Sequence, residues 1–328
     1  MRESWERSTP WLSLNIDSLT ELIQPVFKGS HVISAQPTQG GLANTNYRLE
    51  LSNIANPILL RIFSCKSGAA RKEFAINQLV KTYVRVPEYF YFADFNTITG
   101  HPYALMEWID GQMLDSVIQS ANTEDIRIIA RSVGGVLANI HSFRFEQAGF
   151  FDDDLEVEQP INIYGEGFLS FIHNNLIKGN GHKHLGDELT RQFWDFCNQH
   201  AYLLDEINNN FYGAPCLVHS DFGGTNILLK QGIDNWTIGG VIDWEFAYSG
   251  LPLADIGHIL RPPLDALPDW SEYLIQGYMD NGGIIPGQWR RISKLLDLLA
   301  WVDFLNRDVS STVISSARQV LINTMNCW

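Results

Sequence analysis

The segment Leu217–Leu229, read together with Gly240–Glu245, constrains this chain more than any other. It runs as a short apolar stretch, a polar loop, a second apolar stretch, a turn and a third apolar stretch. The polar loop carries His219, Asp221 and Asn226, and Asp243 stands at the mouth of the last stretch. Asp221 and Asn226 are close enough in sequence for one tight loop to turn both side chains into one cleft. The turn Gln231-Gly-Ile-Asp-Asn235 folds the chain back and brings Asp243 beside Asn226. A loop carboxylate such as Asp221 can orient an acceptor hydroxyl and take its proton. An amide oxygen (Asn226) and a second carboxylate (Asp243) are hard oxygen ligands for Mg²⁺, which neutralises nucleotide phosphates. The chemistry that needs this set is phosphoryl transfer. Asp and Asn are common in ordinary turns, but here four positions and the flanking apolar pattern agree.

His219-Ser-Asp-Phe-Gly-Gly-Thr-Asn226, Ile242-Asp-Trp-Glu-Phe246 and Pro252-Leu-Ala-Asp-Ile-Gly257 resemble the motifs of the aminoglycoside phosphotransferase and choline kinase-like family. The resemblance extends from about Gly40 to about Asn306. It implies an α/β protein-kinase-like fold in two lobes, with a small β-rich N-lobe over a larger, mostly helical C-lobe. It also implies ATP and Mg²⁺ as cofactors and a small-molecule acceptor with a hydroxyl group. The expected division is a lead-in over residues 1–30, a nucleotide-binding lobe over 31–109 and a catalytic and acceptor-binding lobe over 110–328.

At 328 residues, 45% apolar and 18% charged, the chain can bury a full core. No apolar run is long enough for a membrane span, the start has no apolar signal region, and the four cysteines show no paired spacing. A cytoplasmic protein with reduced thiols is the expectation. The net charge of −14 argues against a nucleic-acid partner and favours a cationic acceptor, although acidity is also a common route to solubility.

Along the chain, a short helix is expected near Ile16–Phe27. Strand-like His31–Ser34 and Tyr47–Leu51 flank the glycine-bearing turn Gln39–Asn46. Such a hairpin can lay its N–H groups over phosphates at Gly40 and Gly41, with side-chain contacts from Asn44, Thr45 or Asn46. Pro57–Phe63 reads as a buried strand with one cation, Arg61, which needs a partner or a ligand. By resemblance Arg61 holds nucleotide phosphates, Glu73 on the next helix pairs with it, and the backbone of Glu107, Trp108 and Ile109 meets adenine. Asn122–Ser142 is an amphipathic helix whose terminal His141 reads as a core histidine.

Residues 149–186 read as the least regular part, with an acidic loop at Asp152–Asp154 and a flexible loop at His182–His184. A long helix is expected over 187–208. Asp255 is a carboxylate in an apolar setting and must be paired; the family uses this residue to brace the catalytic loop. His219 is expected to brace the same loop. Glu245 is a candidate for a second metal or the acceptor, and Asp265, Asp269 and Trp301 are acceptor candidates by resemblance. Antibiotic-type and metabolic acceptors such as choline, homoserine or a sugar, and a nucleotide-binding protein without catalysis, remain as alternatives.

Overall fold

The computed structural model describes residues 9–38, 43–64, 67–207, 214–233 and 235–328. The expectation for Gly40 and Gly41 lies outside them. The N-terminal part is one antiparallel sheet of β1 (Val32–Pro37), β2 (Thr45–Leu51), β3 (Ile58–Ile62), β4 (Tyr89–Ala93) and β5 (Tyr103–Glu107), in the order β1-β2-β3-β5-β4. Alternation gives it two apolar faces. Tyr47, Leu49, Ile58, Leu60, Tyr103 and Leu105 form the outer one. Helix α1 (Ile16–Ile23) covers that face with Leu19, Leu22 and Ile23. Its first turn is capped by the Asn15 side chain, which accepts the Ser18 N–H at 2.8 Å.

On the inner face Leu59, Ala104 and Met106 pack with Phe63 and with Ala70 of helix α2 (Ser67–Val80). Arg61 belongs to this face by its position in β3, paired with Asn46 of β2 and Ala104 of β5. An arginine therefore stands inside an apolar layer, opposite a helix that carries Glu73.

Beyond Glu107 the chain is mainly helical. β6 (Gln112–Met113) and α3 (Leu114–Val117) lead to α4 (Thr123–His141), which is capped by Asn122 and buries Ile126, Ile129, Val133, Leu137 and Ile140. Next come β7 (Gly149–Phe151), β8 (Val157–Pro160), α5 (Gly165–Ile172), α6 (Gly181–Leu185), α7 (Asp187–His200) and α8 (Tyr202–Asp205). The site-bearing strands are β9 (Cys216–Val218), β10 (Ile227–Gln231), β11 (Trp236–Val241) and β12 (Tyr248–Gly250). They form two small sheets, β11-β10-β6 and β8-β7-β12-β9. α9 (Leu253–Ile259), α10 (Trp270–Asp280), α11 (Trp289–Asn306) and α12 (Ser311–Asn326) complete the chain. Helices α4 and α10 cross closely because glycine faces backbone on both sides. A Cβ on Gly134 would lie 2.0 Å from the Leu274 carbonyl oxygen, and one on Gly277 2.0 Å from that of Arg131.

Two sequence expectations change here. His182 and His184, expected in a flexible loop, sit in α6, where the His182 ring nitrogen Nδ1 lies 2.8 Å from the Gly179 carbonyl. The long helix ends at His200, and the chain resumes as the short α8. Asp152 of the acidic loop accepts the N–H groups of Asp154 and Glu156, each at 2.9 Å, and Asp153 reaches Arg71 at 3.3 Å. Those carboxylates are engaged in local structure. Among the described residues, no group of three or more His, Cys, Asp or Glu side chains is arranged to hold a metal by itself. No described helix is long and apolar enough to cross a membrane.

Candidate active site

β9 ends at Val218 and β10 begins at Ile227, so the polar loop is what joins these two strands. The Ile242 N–H donates to the Asn226 carbonyl at 3.0 Å, which seats Asp243 beside Asn226. His219 ties the same two segments together from within the core. Its Nδ1 faces the Asp221 N–H at 3.3 Å and so acts as the acceptor, leaving Nε2–H to donate to the Ile242 carbonyl at 3.1 Å. The ring also packs against Trp244, with centroids 4.5 Å apart. Ser220 and Asp243 both have left-handed backbones, at φ 68° each, a conformation uncommon outside glycine and enriched at functional sites.

Asp255 braces the loop through its backbone. Its two oxygens accept the N–H groups of His219 and Ser220, each at 2.8 Å. His141 Nε2 also lies 3.2 Å from Asp255 Oδ2, while Nδ1 is 3.0 Å from the Tyr278 hydroxyl. A carboxylate only accepts, so Nε2 carries the proton and Nδ1 accepts from tyrosine. Burial lowers the His141 pKa, with Asp255 opposing, so the ring is favoured in its neutral form.

Asp221 is buried, and its oxygens are held separately. Oδ2 accepts the Asn226 Nδ2 amide at 2.7 Å, and Oδ1 lies 3.2 Å from His258 Nε2. Asn226 Nδ2 also donates to the Asp221 carbonyl at 2.8 Å. Both contacts use the amide nitrogen, and the Asn226 oxygen is the atom suited to a cation.

Arg61 Nη2 donates to Glu73 Oε2 and to Asp243 Oδ1, at 3.0 Å in each case. Burial works against its charge, but Glu73 and Asp243 outweigh burial and raise its pKa. Burial pushes the Glu73 carboxyl up, reinforced by Asp243 and Glu245 and opposed by Arg61. Burial, followed by Asp243, likewise raises Glu245 to about 7. Three carboxyls thus crowd one guanidinium, with Lys72 nearby. The cluster is short of positive charge.

Arg61 Nε and Asn46 Oδ1 are buried with no hydrogen-bond partner among the described residues. The other two hairpin candidates are used structurally. Asn44 accepts the Ser64 N–H at 3.0 Å, and Thr45 faces the opposite side of β2, where its hydroxyl accepts the Leu12 N–H at 3.2 Å. At the linker, Glu107 turns its side chain to Arg85 and to the Glu88 N–H, and Ile109 is buried against Gly240. Trp108 lies under the Arg48 guanidinium, 5.7 Å from ring centroid to Cζ. A cavity of about 510 Å³ borders this linker, lined by Arg48, Glu107, Trp108, Asp110 and Lys230 among others. Asp221, Asn226 and Asp243 do not line it, so it lies at the linker and apart from the polar loop.

The acceptor candidates separate. Glu245 stands in the electrostatic field of Asp243 and Asp221. Asp265 is exposed in a short 3₁₀ turn. Asp269 is engaged by Arg127 at 2.8 Å. Trp301 is buried, donates its indole N–H to Asp297 at 2.9 Å and lies 4.7 Å under Arg261, so it is packed inside the protein. His258 and Arg261 did not emerge from the sequence. One signal was available for His258, which follows Asp255 by three residues and shares its helix face.

Sheet, linker, helical body and this acid–amide–acid loop define a kinase-like enzyme acting on small molecules. The chain belongs to the phosphotransferase enzyme family, whose family model (APH) matches residues 34–293. Among solved structures it is similar to a protein of Ralstonia eutropha JMP134 assigned as an aminoglycoside phosphotransferase. The identity is 16% over 95% of this chain and 96% of that one, with a TM-score of 0.68. It is also similar to aminoglycoside phosphotransferase APH(4)-Ia in a ternary complex with AMP-PNP and hygromycin B, at 16% identity, 94% and 98% coverage and TM-score 0.68. A third is APH(2")-IIIa with GDP and kanamycin, at 17% identity, 94% and 98% coverage and TM-score 0.69. At these identities the likeness concerns the fold. No curated protein sequence matches the chain significantly.

Proposed function

We propose that this phosphotransferase moves the γ-phosphate of ATP, with Mg²⁺, to a hydroxyl of a small acceptor. The nucleotide would bind between the lobe of residues 31–109 and that of residues 110–328. The observation that carries the reading is that the Asn226–Asp221 pair and the Arg61–Asp243 pair are brought side by side by the Ile242–Asn226 backbone bond. Asp221 orients the acceptor hydroxyl and takes its proton. The Asn226 oxygen and Asp243 are the two protein ligands that fit Mg²⁺. Kinase sites supply few protein ligands because nucleotide phosphates and water complete the shell. The crowding of Glu73, Asp243 and Glu245 around Arg61 is itself a demand for added positive charge. When bound, the ion neutralises charge on the transferring phosphate.

Arg61 is already fixed at Asp243, beside the residues that would hold the ion. It cannot lose its charge, and its planar fork matches phosphate better than a lysine ammonium would. Asn46 is the hairpin side chain on the same face. The acidic surroundings of Glu245 suit a cationic acceptor, in keeping with the kanamycin and hygromycin B bound by the neighbouring structures.

The test is ADP release from Mg-ATP across aminoglycosides, macrolides, choline, sugars and amino alcohols. Acceptor-dependent release that falls on the order of 10²–10⁴-fold in Asp221→Asn is the expected result. Undiminished turnover in that variant would overturn the assignment of the base.

A further inference from the structure

We propose that His258 is a positioning residue for phosphoryl transfer, holding the Asp221 carboxylate in its reactive orientation. This rests on the reading of Asp221 as the base. Helix α9 presents Asp255 and His258 three residues apart, on one face toward the loop. Asp255 fixes the loop backbone at His219 and Ser220. His258 reaches the side chain that the same loop carries, with Nε2 at 3.2 Å from Asp221 Oδ1. The ring lies against the loop itself, since a Cβ on Gly223 would come within 3.3 Å of it. One helix therefore sets both the course of the loop and the rotation of its carboxylate.

The surroundings of His258 favour a ring that donates to Asp221. Arg261 Nη1 is 3.3 Å from the same Nε2. One nitrogen cannot give a proton to Asp221 and accept one from arginine. The contact with an ionised carboxylate is the stronger use of the nitrogen. Arg261 also has its own partner in Asp297, to which Nε donates at 2.7 Å with Nη2 in ion-pair contact at 2.6 Å, and it is stacked on Trp301. The arrangement Asp221–His258–Arg261–Asp297–Trp301, buried at Asp221, His258 and Trp301 and half-buried at Arg261 and Asp297, thus links this carboxylate to α11. With Asn226 on one oxygen and His258 on the other, neither half of the carboxylate can rotate without breaking a contact. Positional control of this kind is worth on the order of 10²-fold in rate for about 1 Å of displacement.

The experiment compares His258→Gln with His258→Met in the full-length protein. Gln keeps an N–H near the place of Nε2, whereas Met fills the space without a donor. Each change is made alone and with Asp221→Asn, and hydrolysis of Mg-ATP with water as acceptor is measured alongside Mg-ATP affinity and thermal unfolding. The Met variant should lose roughly 10–100-fold in kcat while its KM for Mg-ATP stays within about twofold, and the Gln variant should recover most of the rate. In the Asp221→Asn background the Met change should cost nothing further, because its effect passes through Asp221. Wild-type turnover in the Met variant would overturn the inference. So would failure of Gln to outperform Met, or an equal loss from Met in both backgrounds. If Asp221→Asn alone hydrolyses ATP like the wild type, the base assignment falls and takes this inference with it, a result separable from the others.

Discussion

At the residue scale the site depends on charges placed where water is scarce. Arg61 serves two carboxylates, and His141 shows the opposite solution, a titratable ring kept neutral by burial. The consequence for stability has a definite sign. The native ring resists protonation below its ordinary value of 6.5, whereas the unfolded ring accepts a proton there. The unfolded state then binds more protons, so stability falls as pH drops below about 6.5 and is retained above it. Urea titrations between pH 5 and 7.5 should show this loss, and His141→Gln should show a weaker pH dependence across the same window, whatever its stability at pH 7.5. Equal slopes in the two proteins would place the acid sensitivity elsewhere. His141 was legible as a core histidine from its place at a helix end, but its partners were not, because Asp255 and Tyr278 are more than a hundred residues away.

At the scale of elements, periodicity and turn residues located β1, β2, β3 and helix α4. Each of these carries its own apolar repeat, and α4 carries its own cap. The elements of segment 149–186 were not legible because they are short and owe their order to contacts with remote chain, such as β7 pairing with β12. The glycines of the α4–α10 crossing belong to this scale as well. Gly277→Ala would force a methyl group to within 2.0 Å of a backbone carbonyl that cannot swing aside. Denaturant unfolding should show a loss of about 1–3 kcal/mol, the usual cost of overpacking a tight contact. The α4–α10 interface anchors Tyr278 beside His141, and His141 touches the Asp255 brace, so this packing bears on the site as well as on stability.

At the scale of the whole molecule, Arg61 from the sheet meets Asp243 from the helical body, and this contact spans 182 residues of chain. A ligand completing that charge cluster binds only the folded arrangement. Mg-ATP at 100 times its dissociation constant should therefore stabilise the protein by about 2.7 kcal/mol at 25 °C. Calorimetry or thermal-shift measurements should find that Asp243→Asn loses the part of this gain that depends on Mg²⁺. An unchanged Mg²⁺-dependent gain would remove Asp243 from the ion's shell.

The sequence by itself determined which chemical groups are present and in what order, because a polar loop between two apolar strands is a local pattern. It also determined that Arg61 needs a partner, since a cation in an apolar strand cannot stand alone. The tertiary structure decided which way side chains face and what lies next to them. It turned Asn46 toward Arg61 and Thr45 away, packed Trp301 beneath Arg261, and brought His258 to Asp221. Facing depends on strand register and on helix rotation against a packed core. Both are fixed by contacts between distant segments, which no local pattern encodes.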